Sequence, residues 1–323
     1  NFCENIVLTA PANANIALGN TAGYQTITPG NSISIGNQAG EIGNNRQNAI
    51  AIGPGAASNN QQTAAIAVGF KAAYVNQADF AISIGYGAGS ENQDTSSIAI
   101  GSLAAHYDQS DNSIAIGTQA GFSNQDPSSI AIGGGAGGYN QAYQSIAIGA
   151  QAGFKDQSHN SIAIGAFAGK SNQGTPSATA SGIIGDAIGI GRYAGYSNQR
   201  RAVAIGYKAG YAEQEYNSVA IGTLAGTLDQ SNASIAIGEE AGYFNQAKHA
   251  IAIGTTAGHY SQELHSIAIG YHAGKGAFGP GGTGAHANTI ILNADTADLN
   301  STAASRFYVK PIRNEVSNNV LYY

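Results

Sequence analysis

The chain has 323 residues; 45 are Gly, 10% are charged, none is Met or Trp, and Tyr (17) outnumbers Phe (9). An ordinary globular enzyme carries roughly 25% charge and about 7% Gly. The large side chains that fill a thick core are scarce, so a thin, extended or repetitive body is expected in place of ordinary domains. The formal net charge of -6 leaves no basic surface to neutralise phosphates, and no apolar run approaches the ~20 residues of a membrane span; neither nucleic acid nor membrane insertion is expected.

Residues 1–15 precede any repeat and are read as an N-terminal cap or attachment segment. Neither a Met nor a charged-then-apolar leader opens the sequence, as expected of a processed or trimmed product. The single cysteine, Cys3, excludes an intrachain disulfide framework. It is either an inert terminal thiol or an interchain or attachment link.

From residue 16 to residue 274 the sequence repeats. A tetrad of the form Ile-x-Ile-Gly ends at Gly19, Gly36, Gly53, Gly69, Gly85, Gly101, Gly117, Gly133, Gly149, Gly165, Gly191, Gly206, Gly222, Gly238, Gly254 and Gly270. The unit is 16 residues, with one insertion at 174–187. Counting from each glycine as position zero, positions -3 and -1 are branched aliphatics and position -2 is Ala, Ser or Gly. That alternation is the period of a strand. It predicts a core of Ile and Val at -3 and -1, with the flat Ala and Ser face at -2 free to pack against another copy of the chain. Position +3 is always Ala and position +4 is Gly or Ala, giving a second short segment, with sharp changes of direction at zero and +4.

Position +8 is Gln in thirteen consecutive units: Gln61, Gln77, Gln93, Gln109, Gln125, Gln141, Gln157, Gln173, Gln199, Gln214, Gln230, Gln246 and Gln262. Asn or Asp precedes most of them, and both tolerate left-handed backbone. One coil per repeat, stacked about 4.8 Å apart, would align these glutamines into an amide ladder, each side chain donating to the next. Sixteen such coils predict a rod of roughly 75 to 80 Å. Two branched side chains per coil, about 2 kcal/mol each, fall short of the entropy of ordering sixteen residues, which favours an oligomer.

The string SIAIG followed by AG and NQ resembles the head repeats of trimeric autotransporter adhesins of the YadA-like type, over about four fifths of the chain. The unit here is longer than theirs, and the Gln column is its own. The resemblance implies an all-β, left-handed parallel β-roll or solenoid of about 16 coils in an intertwined or side-by-side homotrimer. Residues 275–323, from NTIILNADTADLN to RFYVKPIRNEVSNNVLYY, are read as a capping or linking β region. They resemble the segment after such repeats in phage and giant-virus fibres, where a self-cleaving intramolecular chaperone of the endosialidase tail-spike type follows. The sequence ends at Tyr323 without one, so a mature or truncated fibre is expected. The function implied is a structural fibre or adhesin at a virion or cell surface, extracellular, serving attachment or spacing, with itself as partner and no cofactor.

Other strings are absorbed by the repeat. Gly133 to Gly138 has the spacing of a dinucleotide loop but no following helix or acidic partner. The stretch from Gly165 to Ser171 is one residue short of a phosphate loop. His249 and His265 share position -5 in adjacent coils, as a metal or anion pair or as solvated surface groups. Glu239 and Glu240 have no facing acid, so a glycosidase pair is not placed and no enzyme is expected. Arg200 and Arg201 form the one basic doublet, and Asn232 and Asn300 lie in short sequons. Aromatics recur at +5 and +6 (Tyr24, Tyr74, Tyr107, Phe122, Tyr139, Phe154, Tyr196, Tyr211, Tyr243, Tyr260). They are read as an outer cover stacked between coils or as a strip for a cell-surface glycan or receptor, with Tyr196, Tyr211, Tyr243 and Tyr260 as candidate contacts. The insertion offers a second place for recognition. A glycan-binding fibre and a glycan-degrading tail spike are the alternatives.

Overall fold

The computed structural model describes residues 6–8, 15–26, 30–43, 47–174, 185–276 and 284–311. Cys3, the insertion residues 175–184 and the terminal residues 312–323 lie outside them. The chain is an all-β parallel solenoid, with no helix among the described residues. It divides into two compact units, residues 1–205 and 206–323.

In the first unit, twelve tetrad strands from Ile16–Leu18 to Val203–Ile205 lie parallel and in register, Ile82 beside Ile98 and Ile98 beside Ile114. A second sheet gathers the segments that end on the glutamines, among them Glu91–Gln93, Tyr107–Gln109 and Ser123–Gln125, with Gln93 beside Gln109 and Gln109 beside Gln125. From Ile50 to Gln199 each coil thus contributes one three-residue strand to each sheet; the first two coils give the second sheet the two-residue strands Gln25–Thr26 and Ile42–Gly43. Strands this short are joined by corners of left-handed backbone: in one coil, Gln119, Gly121 and Ser128 have φ of 56, 52 and 60°, and Asn124, in the middle of Ser123–Gln125, has 56°. The ladder stays in register across the insertion, since Ile162 pairs with Ile188 and Gln173 bonds Gln199. At its N-terminal edge, Ile6–Leu8 pairs antiparallel with Ile16–Leu18.

The second unit has the same two sheets. Val219–Ile221, Ile235–Ile237, Ile251–Ile253 and Ile267–Gly270 continue the tetrad pattern beside Ala212–Gln214, Leu228–Gln230, Phe244–Gln246 and Tyr260–Gln262. The sheet does not stop with the sequence repeat. Ile290–Asn293 and Phe307–Lys310 add two further parallel strands, Ile267 beside Ile290 and Ile290 beside Phe307.

The faces of the tetrad are the reverse of the sequence expectation. Alanine at -2 points inward and is fully buried (Ala51, Ala99, Ala115, Ala131), as is Ala at +3 (Ala104, Ala120, Ala136). The branched residues at -3 and -1 point outward; Ile52, Ile84, Ile116 and Ile164 are 36, 39, 36 and 36% exposed. The physical reason is thickness. A Cβ placed on Gly121 or Gly137 would already lie 3.2 or 3.1 Å from the Ala115 or Ala131 methyl across the coil. The space between the sheets therefore admits one layer of methyl groups and the glutamines, and an isoleucine turned inward would force the sheets apart.

Position zero is the tightest point of the stack. Gly117 has φ of 128°, and a Cβ there would meet Gly133 carbonyl atoms at 2.8 Å. No L side chain fits both the backbone angle and the space. Position +4 is more permissive: Ala57, Ala73 and Ala105 occupy it at φ of 47, 48 and 45° and are fully buried.

Candidate interaction surfaces

The glutamine column is the polar half of the interior. Gln77, Gln93, Gln109, Gln125 and Gln141 are at most 1% exposed. Gln93 Nε2 donates to Gln109 Oε1 (3.2 Å) and to the Ile82 carbonyl (2.9 Å), and Gln109 repeats the pattern toward Gln125 and Ile98. In the first unit the bonds run in the same sense from Gln61 through Gln77, Gln141, Gln157 and Gln173 to Gln199. In the second they run from Gln214 through Gln230 and Gln246 to Gln262. Inside each run the amides span the gap between the sheets and also tie one coil to the next, so that Gln93, Gln109, Gln125 and Gln141 are satisfied at both ends.

Two supporting columns accompany it. At +7, half-buried Asn60 and exposed Asn76 and Asn92 donate in series to a final acceptor, Asp108, and Asn124 and Asn140 to Asp156. At -4, buried Ser97, Ser113 and Ser129 turn their hydroxyls onto the carbonyls of Asp94, Ser110 and Asp126 at 2.7, 2.6 and 2.7 Å. The -4 column is missed by a reading centred on the tetrad. Its signal is in the sequence all the same, since Ser or Ala precedes the tetrad in every unit but the first.

The outer faces of the two sheets differ in chemistry. Over the glutamines the surface is the Asn and Asp ladder. Over the tetrads of the first unit it is a ribbon of branched side chains, two wide and twelve strands long, about 50 Å at the spacing of adjacent strands. In the second unit the same face carries Ile269, Ile290, Phe307 and Val309 at 39, 41, 60 and 37% exposure. A soluble monomer rarely leaves contiguous apolar patches beyond roughly 300–600 Å².

The four tyrosines singled out as glycan contacts are half-buried, with neighbours on their rings. Tyr196 lies beside Tyr193 (5.7 Å) and under Lys170 Nζ (5.5 Å), and Tyr211 lies under Lys208 Nζ (5.7 Å). Tyr243 stacks on His259 at 5.0 Å, and His259 meets Tyr260 edge-on at 4.1 Å. In the first unit, Tyr107, Phe122, Tyr139 and Phe154 form a continuous edge-to-face run at 5.4–5.7 Å. These aromatics spend their faces on one another and on cations along the stack.

Ionisable groups gather in the second unit. His259 Nε2 lies 3.1 Å from Glu240 Oε2, while its Nδ1 is buried without a partner. Burial pushes the His259 imidazole below its usual pKa, against the opposing pull of Glu240 and with help from Lys275 and His272. His272 Nδ1 sits 2.6 Å from Asp298 Oδ1, which Lys275 also approaches at 3.9 Å. In the first unit, burial and then the charges of Asp111 and Asp108 raise Asp94 above the usual carboxylate range. Arg201 pairs with Asp186 at 3.7 Å, Asn300 accepts from the Gly276 N–H, and Glu239 is exposed. Gly133 to Gly138 and Gly165 to Ser171 form coil corners leading into the short strands Tyr139–Gln141 and Ser171–Gln173. Compared with protein-family models, curated proteins and solved structures, the chain has no match.

Proposed function

We propose that this chain is the shaft of an extracellular structural fibre or adhesin, assembled as a homotrimer of left-handed rolls through its isoleucine face, that attaches or spaces a virion or cell surface. One observation carries the reading: in a coil whose interior is already filled by Ala and Gln, the most apolar residues of every repeat face outward on one side. Burying them against copies of the same chain removes that surface from water at about 25 cal/mol per Å². Like residues at the same height on each copy make the contact self-complementary. Threefold symmetry and the surface location follow the resemblance of SIAIG, AG and NQ to trimeric adhesin heads. The buried ladders suit a part that transmits force without moving, since side-chain amide hydrogen bonds tie successive coils inside each run and, over several coils, outside as well. The test is particle mass in solution by light scattering, with electron micrographs of the same sample: a slender trimer is expected, and a globular monomer would overturn the proposal.

A further inference from the structure

We propose that His249 and His265 form a two-imidazole site for a borderline divalent metal, with Zn²⁺ as its reference ion. They occupy position -5 of consecutive coils whose strands are in register, Ile251 beside Ile267. Their rings stand 5.3 Å apart at an interplanar angle of 25°. The backbone fixes that spacing: His249 N–H donates to the Asn232 carbonyl (3.1 Å) and His265 N–H to the Lys248 carbonyl (3.2 Å), with φ of 59 and 56°. Both side chains are exposed, so tilting the rings toward each other disturbs no packing. Two nitrogens each about 2.0–2.1 Å from one zinc need a modest convergence from this stack, within reach of two side-chain torsions.

Imidazole suits Zn²⁺, Ni²⁺ and Cu²⁺ and not the hard cations Ca²⁺ or Mg²⁺. Among the described residues no group of three or more His, Cys, Asp or Glu side chains is placed to hold a metal. The site is therefore open, with two protein ligands and the remaining positions filled by water or by a donor from another molecule. An ion held there would clasp two coils together from outside, as Gln246 and Gln262 do from inside.

Zinc chloride titrated calorimetrically into the full chain tests this, with His249→Asn, His265→Asn and the double variant alongside. Asn is chosen because it accepts left-handed backbone, so the variants keep the corner; circular dichroism confirms that they fold. The expected result is one ion per chain, an affinity reduced about a hundredfold by either substitution, the lower range for losing one of two tethered contacts, and a zinc-dependent rise in unfolding temperature that the double variant lacks. No saturable binding, or binding that survives the double substitution, would overturn the proposal.

Discussion

A glutamine at +8 does two jobs that its neighbours in the amino-acid alphabet cannot combine. Gln141 Nε2 donates to the Ile130 carbonyl at 2.7 Å and to Gln157 Oε1 at 3.4 Å, while its own Oε1 accepts from Gln125 at 3.3 Å. Leucine matches its size but cannot replace these bonds, and the expected loss is about 2–4 kcal/mol of stability, since the Ile130 carbonyl and Gln157 Oε1 lose a donor while Gln125 keeps its bond to the Ile114 carbonyl. Glutamate retains the acceptor and removes the donor, placing a carboxylate against a carbonyl in a dry interior. Urea unfolding should therefore rank Gln141→Glu below Gln141→Leu, and equal midpoints would show that the ladder does not depend on donor direction. His259 gives a pH signature at the same scale. Its folded pKa lies below the ordinary 6.5, so on acidification the unfolded chain takes up the proton first and stability falls as pH drops below about 6.5. His259→Phe keeps the stack on Tyr243 and removes the titrating group. Unfolding midpoints between pH 8 and pH 5 should lose the part of their slope that belongs to this residue.

At the scale of the element, the three-residue strand has one face for each kind of neighbour. Ala115→Leu puts a branched chain where one methyl layer fits, and overpacking of this kind costs about 1–3 kcal/mol or more. Its thermal midpoint should fall sharply whatever the oligomeric state. Ile116 points outward one residue away, so Ile116→Asp should leave the coil folded while dissociating the proposed trimer. Circular dichroism separates the two variants by fold and light scattering by mass; if Ile116→Asp unfolds the chain and Ala115→Leu does not, the face assignment is wrong. The repeat length, the strand at the tetrad and the alignment of the glutamines were all legible in the sequence because each is a matter of spacing. Which face turns inward was not. Alternation separates two faces, and the general rule that branched aliphatics are buried selects Ile98 and Ile100 over Ala99. The deciding quantity is the distance between the sheets, and that is set by residues elsewhere in the coil, Ala104 and Gln109, whose smallness and reach make sense once they are seen opposite Ala99. The apposition of His259 with Glu240 escaped for a related reason: they stand at different positions of consecutive coils, +5 and +2, and no single column reveals them.

Across the whole molecule, stability is built coil upon coil, so length is negotiable in steps of one repeat. Deleting residues 118–133 removes sixteen positions and rejoins a strand end to the equivalent point of the next coil; a folded, protease-resistant chain is expected. Removing eight residues instead puts outward positions inside and should yield an aggregating product, and similar behaviour of the two deletions would argue against coil-by-coil register. The insertion offers a gentler test. Ile162 and Ile188 are adjacent although 26 positions apart, so excision of residues 175–184 restores the common spacing without altering any described pairing. The thermal midpoint is expected to hold or rise, because a shorter connection between paired strands costs less entropy to close.

The sense of the amide columns gives each unit a polarity. Within each inner run the glutamines donate toward the coil that follows, and the outer asparagines do the same. Peptide-like amide dipoles of about 3.5 D each, aligned along one direction, sum as they do in a helix. The positive end of each series faces the later coils and its negative end the earlier ones. Two such stacks meeting end to end would continue the series when joined tail to head and would set like poles together when joined head to head, so the interior of the coil confers a preferred direction of growth as well as cohesion.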